Sequence, residues 1–591
     1  MIKKLGLFVL GWVLVLGGGW FAHSVQTAHG GVRVEDVRYP AGDGTTLSGL
    51  LYVPASATAQ HPAPAVLVSH GFINTREMQS PFAIELSRRG FVVLAMDMTG
   101  HGYSGGVLGS AGFGGPGSLK YLRSLPYVDK ANIGLEGHSM GGAPVMNAAA
   151  SQPDGYRAVV LEGSTTGFFG AAPGTPTFPR NLEVVFGQFD EFADTMWLVK
   201  KGSQVGAAPR LMALFGTSAP VAPGRLYGSI ESGTARMLVN PPVDHPQEHF
   251  TAAGVGAAID WFQRTLQGEA SPKPASDQVW LGKEFGTLIA FIGCVVLILG
   301  TFRLILPAAL DNAPQPASKS RNGRWWTSFV LAAAIPALTY YPFMKLAPVL
   351  FFAPFVLFDA VPFALATFSE QITNQLVVWA LLNGLISLFL SFVLRGGKTA
   401  FTRRWVLSAV VAVISVGAGY LALAIVDHLF KVDFRFWVLG LKPLDGRHFQ
   451  LFLVYLLPFT AFFLCSLRGF AASLPVRKES AVAAYAYGAA AMSMGFVVML
   501  AAQYLTMAST GLLIDPSEAL NTIIAFQFVP LLAVIGLIAA FTYRASNDYV
   551  PGAFICALFV TWYIVAGTAV FPPTLGIKPP PAPHAATVVK S

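Results

Sequence analysis

The chain reads as an α/β domain with a doubly wound, mostly parallel sheet, joined to an all-α polytopic membrane domain. Between residues 33 and 267, strand-like and helix-like segments alternate. That alternation is the signature of parallel strands linked by crossover helices. From residue 285 onward, apolar stretches recur at lengths that cross a bilayer, which takes about 20 residues. Composition agrees with both. Mean hydropathy is +0.55, and charged residues make up 12%, about half the usual globular share.

Lys3 and Lys4 precede an apolar stretch from Leu5 to Phe21. The stretch is long for a signal peptide and no good small-x-small cleavage site follows, so residues 1–25 are read as an uncleaved anchor, with a signal peptide as the alternative. Residues 34–39 and 46–53, joined by Asp43-Gly44, form an opening antiparallel pair. Residues 65–69 and 91–96 are buried strands, separated by a helix over 76–89 that carries Phe82 and Leu86 and stops at Gly90. A helix over 118–125 leads to the strand Asn132-Ile133-Gly134-Leu135-Glu136. Residues 158–161, 182–186 and 236–239 are further strands, and 252–266 is a closing helix with Thr251 at its N-cap. This domain spans 33–267, and 268–284 is a linker containing Ser271-Pro272-Lys273-Pro274.

The membrane domain spans 285–571, with eight spans near 285–306, 326–343, 372–394, 405–428, 450–467, 482–506, 523–542 and 550–571. Pro348, Pro354 and Pro362 break the apolar stretch 346–367, which is read as re-entrant. Residues 572–591 are a Pro-rich tail.

The formal charge of +8 could suggest nucleic acid, but Lys and Arg cluster in short loops and form no stripe on the sheet domain. With the N-terminus inside, three basic clusters fall inside: Arg303, Lys319, Arg321 and Arg324; Arg395, Lys398, Arg403 and Arg404; Arg468, Arg477 and Lys478. The loop with Asp515 and Glu518 falls outside. The outer loop 429–449 runs against the rule with Lys431, Arg435, Lys442 and Arg447, partly offset by Asp427, Asp433 and Asp445. The expected location is the cell (inner) membrane, multi-pass, with the sheet domain extracytoplasmic. Cys294, Cys465 and Cys556 all lie in apolar spans, so no disulfide framework or Cys/His metal site is implied.

Gly137-His138-Ser139-Met140-Gly141 follows a strand and precedes a small-residue helix, Gly142 to Ala150. A Ser on such a turn is a nucleophile elbow. Gly102-Tyr103-Ser104-Gly105-Gly106 also fits G-x-S-x-G, but it enters a Gly-dense stretch that cannot be a helix interior. The nucleophile is therefore Ser139. Chain order for this elbow is Ser, then acid, then His. After the strand 182–186 comes Gln188-Phe189-Asp190-Glu191. Asp190 is the preferred acid, because a carboxylate beyond the C-terminal end of a parallel strand faces the ligand crevice, with Glu191 and Asp194 as alternatives. His245 and His249 follow the last strand. His245 is preferred as base because it lies nearer the strand end, and His249 is the alternative. The oxyanion hole takes the N–H of Met140 and one from the loop His70-Gly71-Phe72, assigned to Phe72 within one residue. His70 itself is expected to be structural. Such chemistry calls for no cofactor and no metal.

Val66-Leu67-Val68-Ser69-His70-Gly71-Phe72, Gly100-His101-Gly102-Tyr103-Ser104 and Gly137-His138-Ser139-Met140-Gly141-Gly142 resemble the α/β-hydrolase superfamily, and 121–142 resembles its dienelactone-hydrolase-like and prolyl-oligopeptidase-like members. The likeness covers about 35–267. It implies an eight-stranded sheet and a Ser-His-Asp triad; no Gly-His signature precedes the histidine. The membrane domain resembles no family.

The expected function is a membrane-anchored serine hydrolase for an ester, thioester or amide, its partners being the lipid bilayer and a small-molecule or lipid acyl substrate. Phe168, Phe169 and Phe178 suggest an apolar acyl pocket. Two alternatives remain: acyl transfer by the same triad, and a transporter or receptor with a hydrolase-like binding domain. Against a pump, the span centres hold almost no charge, Asn383 and Gln527 being the most polar. Oligomeric state is not legible.

Overall fold

The computed structural model describes residues 2–310, 323–395, 404–471 and 480–573. The tail beyond 573 and the basic residues Lys319, Arg321, Lys398, Arg403, Arg477 and Lys478 lie outside the described residues.

The chain forms two units. The sheet unit comprises His23–Lys283, Thr506–Pro516 and, among the described residues, 569–573. It is thus not the continuous block 33–267, but takes in two segments from far along the chain. Its eight strands are β1 (Val32–Pro40), β2 (Thr46–Pro54), β3 (Ala63–Ser69), β4 (Val92–Asp97), β5 (Val128–His138), β6 (Ala158–Glu162), β7 (Leu182–Val185) and β8 (Arg236–Val239). Their order is β1-β2-β4-β3-β5-β6-β7-β8. β1 and β2 pair antiparallel, β2 lies antiparallel to β4, and the remaining pairs are parallel.

Two apolar layers sandwich the sheet. Leu67, Leu94, Leu135 and Leu161 point into one, with Val145 and Met146 of the helix Gly142–Ser151. Val66, Val68, Val93 and Val160 point into the other, with Phe82, Trp261 and Phe262. This strict alternation is the period of two along a strand, and burial on both faces explains why these strands read as continuous apolar runs. Thr251 caps the helix Ala252–Thr265 by accepting from Gly254 N at 3.3 Å. The expected linker is docked: the Arg89 guanidinium donates to the carbonyls of Lys273, Pro274 and Asp277, and Arg88 pairs with Asp277 at 3.1 Å.

The helical unit contains most of the remaining chain. Among the described residues of the whole chain, nine helices are long and apolar enough to cross a membrane: Leu5–Gln26, Trp280–Ile305, Tyr340–Leu357, Gln371–Val393, Trp405–Phe430, Gly446–Phe470, Ala481–Thr510, Pro516–Ser546 and Val550–Gly567. One region differs from the sequence reading. The stretch expected to span at 326–343 is a 16-residue helix, Gly323–Leu338. The stretch expected to be re-entrant instead begins with the 18-residue helix Tyr340–Leu357, which holds Pro348 and Pro354 internally, followed by the short helix Val361–Thr367. Pro is tolerated inside such helices where neighbouring groups satisfy the freed carbonyls.

The N-terminal helix packs closely on Trp280–Ile305. A Cβ on Gly286, Gly293 or Gly300 would lie 2.6–2.7 Å from backbone or Cβ atoms of the segment Leu7–Ala22, and one on Gly11 would meet Leu297 at 2.6 Å. Glycines recurring every seven residues let the two backbones approach along their length.

Candidate active site

The turn after β5 places Ser139 at φ +55°, a left-handed conformation that is strained for a residue with a Cβ. The neighbours permit it only by being small. A Cβ on Gly137 would lie 2.2 Å from Gly141 O, and one on Gly141 would lie 2.2 Å from Ser69 O. Ser164 Oγ donates to Ser139 O at 2.6 Å and ties the turn to the end of β6.

Three of the expected residues converge at the C-terminal edge of the sheet. His245 Nε2 lies 2.9 Å from Ser139 Oγ, and His245 Nδ1 lies 2.8 Å from Asp190 Oδ2. Asp190 is buried in the loop after β7, and its Oδ1 accepts from Phe192 N at 2.6 Å. The alternative acids do other things. Glu191 Oε2 accepts from the backbone N–H of His245 at 2.9 Å, and Asp194 is exposed in the first turn of the helix Ala193–Trp197. His249 does not reach Ser139; its Nδ1 sits 3.2 Å from His138 Nε2. Ser104 is buried on the other side of β4, where its Oγ donates to Asp97 O and accepts from Ser48 N. His70 Nε2 accepts from Met98 N at 3.1 Å, a structural bond.

His245 does not lie in a plain loop. It opens a short helix, His245–Glu248, capped by Asp244, whose Oδ1 accepts from Gln247 N at 3.0 Å. Asp244 followed three residues later by Gln247 is a capping pattern visible in the sequence. This turn fixes the ring against two elements at once.

Burial opposes a charged His245 ring most strongly, but the Asp190 carboxylate, helped by Glu191 and Asp244, more than offsets it and raises the pKa above 6.5. His249 is pushed the other way, to about 3, by burial and by the charge of His245. Burial, then the neighbouring His249 and His245 rings, push His138 well below the usual imidazole range. Burial and the Asp190 charge hold the Glu248 carboxyl well above its usual range. Glu248, His138 and Phe192 were not read from the sequence. Glu248 Oε1 accepts from Gly187 N, and the Phe192 ring stands edge-on to His245 with centroids 4.7 Å apart.

His138, His245 and Glu248 offer ligand atoms within 4.8 Å of one another. Both ring nitrogens of His245 are already committed to Ser139 and Asp190.

Of the aromatics expected to line an acyl pocket, Phe168 and Phe169 pack on each other at 4.1 Å, and Phe169 on Phe113 at 6.1 Å. Phe178 packs against the same apolar layer as those two, and its backbone bridges Thr175.

Residues 60–189 match the family model described as serine aminopeptidase, S33. No curated protein matches the chain. Among solved structures, the dienelactone hydrolase of Anabaena variabilis is 18% identical, with 40% of this chain and 100% of that one covered and a TM-score of 0.28. An esterase of Pyrococcus furiosus is 16% identical, with 40% and 91% covered and a TM-score of 0.29. The family match takes in β3 to β7 and the strained turn of Ser139, and over that stretch the sheet unit is similar to serine hydrolases of the α/β type.

Proposed function

We propose that this is a membrane-anchored esterase-type hydrolase that works through Ser139, His245 and Asp190 and a covalent acyl-enzyme. The observation that carries the reading is the pair of hydrogen bonds made by His245, 2.9 Å to Ser139 Oγ and 2.8 Å to Asp190 Oδ2.

The neutral imidazole takes the Ser139 proton at Nε2 as Oγ bonds to the acyl carbon. Asp190 keeps Nδ1 protonated and stabilises the imidazolium. The negative oxygen is received by the Met140 N–H, at the start of the helical turn after Ser139, and by the Phe72 N–H. His245 then returns the proton to the leaving group as the acyl–oxygen bond breaks. Water repeats the sequence and frees Ser139.

Apolar acyl groups suit the site, because Phe192 faces His245 and Phe168 and Phe169 pack on the same core. The retained N-terminal helix is favoured by its close packing on Trp280–Ile305, since a cleaved signal would leave the glycine-lined face uncovered. With basic loops inside, the sheet unit faces the extracytoplasmic side.

The test is labelling of the detergent-solubilised full chain with a fluorophosphonate, and hydrolysis of short p-nitrophenyl esters. Ser139→Ala should abolish labelling and lower turnover on the order of 10³-fold or more. Turnover within tenfold of wild type would remove Ser139 from the mechanism.

A further inference from the structure

The segment that follows the last long apolar helix belongs to the sheet unit. Val570 pairs with the loop after β4 through two backbone hydrogen bonds: its N–H donates to Gly100 O at 2.8 Å, and its carbonyl accepts from Leu108 N at 2.9 Å. Gly100 sits at φ +76°, and a Cβ there would lie 2.8 Å from Val570 O and 2.6 Å from Leu108 N. The docking therefore needs a glycine at this position. The next residue, Phe571, is buried and stands perpendicular to the Phe72 ring, with centroids 6.0 Å apart. A second ring beside Phe72 is that of His101, at 6.2 Å and 78°.

Phe72 thus meets two rings edge-on, one from the β4 loop and one from residue 571. Its own loop needs holding. Ile73 adopts φ +53°, a strained value for a β-branched residue. Gly71 lies so close to the nucleophile that a Cβ would come within 3.1 Å of Ser139 Cβ and 3.2 Å of His138 Nδ1. A donor N–H stabilises an oxyanion only when it is already aimed at it.

We propose that Phe571 is a positioning residue for the oxyanion hole: with the Val570–Gly100–Leu108 pairing, it clamps the Phe72 ring and so aims the Phe72 N–H at the acyl oxygen beside Ser139. This rests on the catalytic reading of Ser139 given above. The site built from residues 33–267 alone lacks this wall.

The test uses the full chain in detergent, with active sites counted by fluorophosphonate titration. Phe571→Ala should lower kcat per titrated site on a soluble p-nitrophenyl ester about tenfold with KM changed less than twofold. The fluorophosphonate labelling rate should fall in parallel, because phosphonylation uses the same donors. Phe571→Leu should recover more than half of the rate. In a Phe72→Ala background, adding Phe571→Ala should cost less than a further twofold, because the clamped ring is already gone. Fewer titratable sites with unchanged kcat per site would mean that Phe571 only supports folding, and the proposal would fall. So would independent effects of the two substitutions, or a Phe571→Ala enzyme within twofold of wild type. A Ser139→Ala chain that still turns over would instead overturn the catalytic reading itself.

Discussion

Glu248 Oε2 lies 3.6 Å from His245 Nδ1, the same nitrogen that Asp190 holds at 2.8 Å. Two carboxyl groups thus face one imidazole nitrogen, and they cannot both be charged at low cost. Burial and the Asp190 charge hold the Glu248 carboxyl well above its ordinary range, which favours its neutral form. Glu248→Gln mimics that neutral form. It should therefore keep kcat/KM at pH 7 within about threefold and leave the acid limb of the pH profile in place. A limb shifted by more than half a pH unit would show that Glu248 carries charge in the working enzyme.

The acid limb of kcat/KM should lie above pH 6.5. The base must be neutral to accept the Ser139 proton, and Asp190 raises the His245 pKa above that ordinary value. Activity is lost as pH falls through the raised pKa. Asp190→Asn should move the limb down and cut kcat on the order of 10⁴-fold. A limb unmoved by that change would detach Asp190 from His245.

The two histidines should separate cleanly. His245→Ala should match Ser139→Ala in turnover. His249→Ala, behind His138, should remain within about tenfold of wild type, since its ring touches neither Ser139 nor Asp190. Equal losses in the two variants, measured per titrated site, would refute this assignment.

Glu162 should make stability fall as pH rises. Its carboxyl is buried beside Glu136, and burial and that neighbour's charge hold its pKa well above 4.5. The folded chain keeps a proton that the unfolded chain releases above pH 4.5. Stability from this group is thus full at acid pH and declines with a slope of about 1.4 kcal/mol per pH unit until the folded pKa is reached. Glu162→Gln removes the titration. Its gain in Tm over wild type should be larger at pH 8 than at pH 5; a pH-independent difference would contradict the argument.

Orientation can be read with an impermeant thiol reagent on a chain whose three cysteines have been replaced. A thiol introduced by Ser276→Cys, an exposed position in the docked linker, should label in intact cells once any outer envelope is permeabilised. One introduced by Ser320→Cys should label only after the inner membrane is opened. The reverse pattern would place the hydrolase on the cytoplasmic side.

Much of the sheet unit could be read from the chain because its strands are buried on both faces and therefore appear as apolar runs such as Ala65–Ser69. Ser139 could be found because its turn needs glycines at fixed positions, and Asp190 because it follows a strand end. Proximity across the fold could not be read. Glu248 looks like a surface residue of a polar loop, and nothing local says that its carboxyl enters the space behind His245. The helix over His245–Glu248 did leave a mark, the Asp244 and Gln247 pair. The helix Tyr340–Leu357 was hidden because its prolines signal a break in water, where the freed carbonyls would have no neighbouring helix to satisfy them. The glycines at 286, 293 and 300 were in plain view, but their partner lies some 280 residues earlier.

The sheet unit is discontinuous in the chain, and this gives its assembly an order in time. A ribosome has delivered all eight strands, Ser139, Asp190 and His245 by residue 283. The segments 506–516 and 569–573 have yet to be made, and eight of the nine long apolar helices found among the described residues lie between the last strand and residue 569. Until residue 571 is synthesised, the Phe72 loop lacks one of its two flanking rings. On the clamp proposed above, a chain that stops short of residue 569 carries all eight strands yet falls below the full-length turnover.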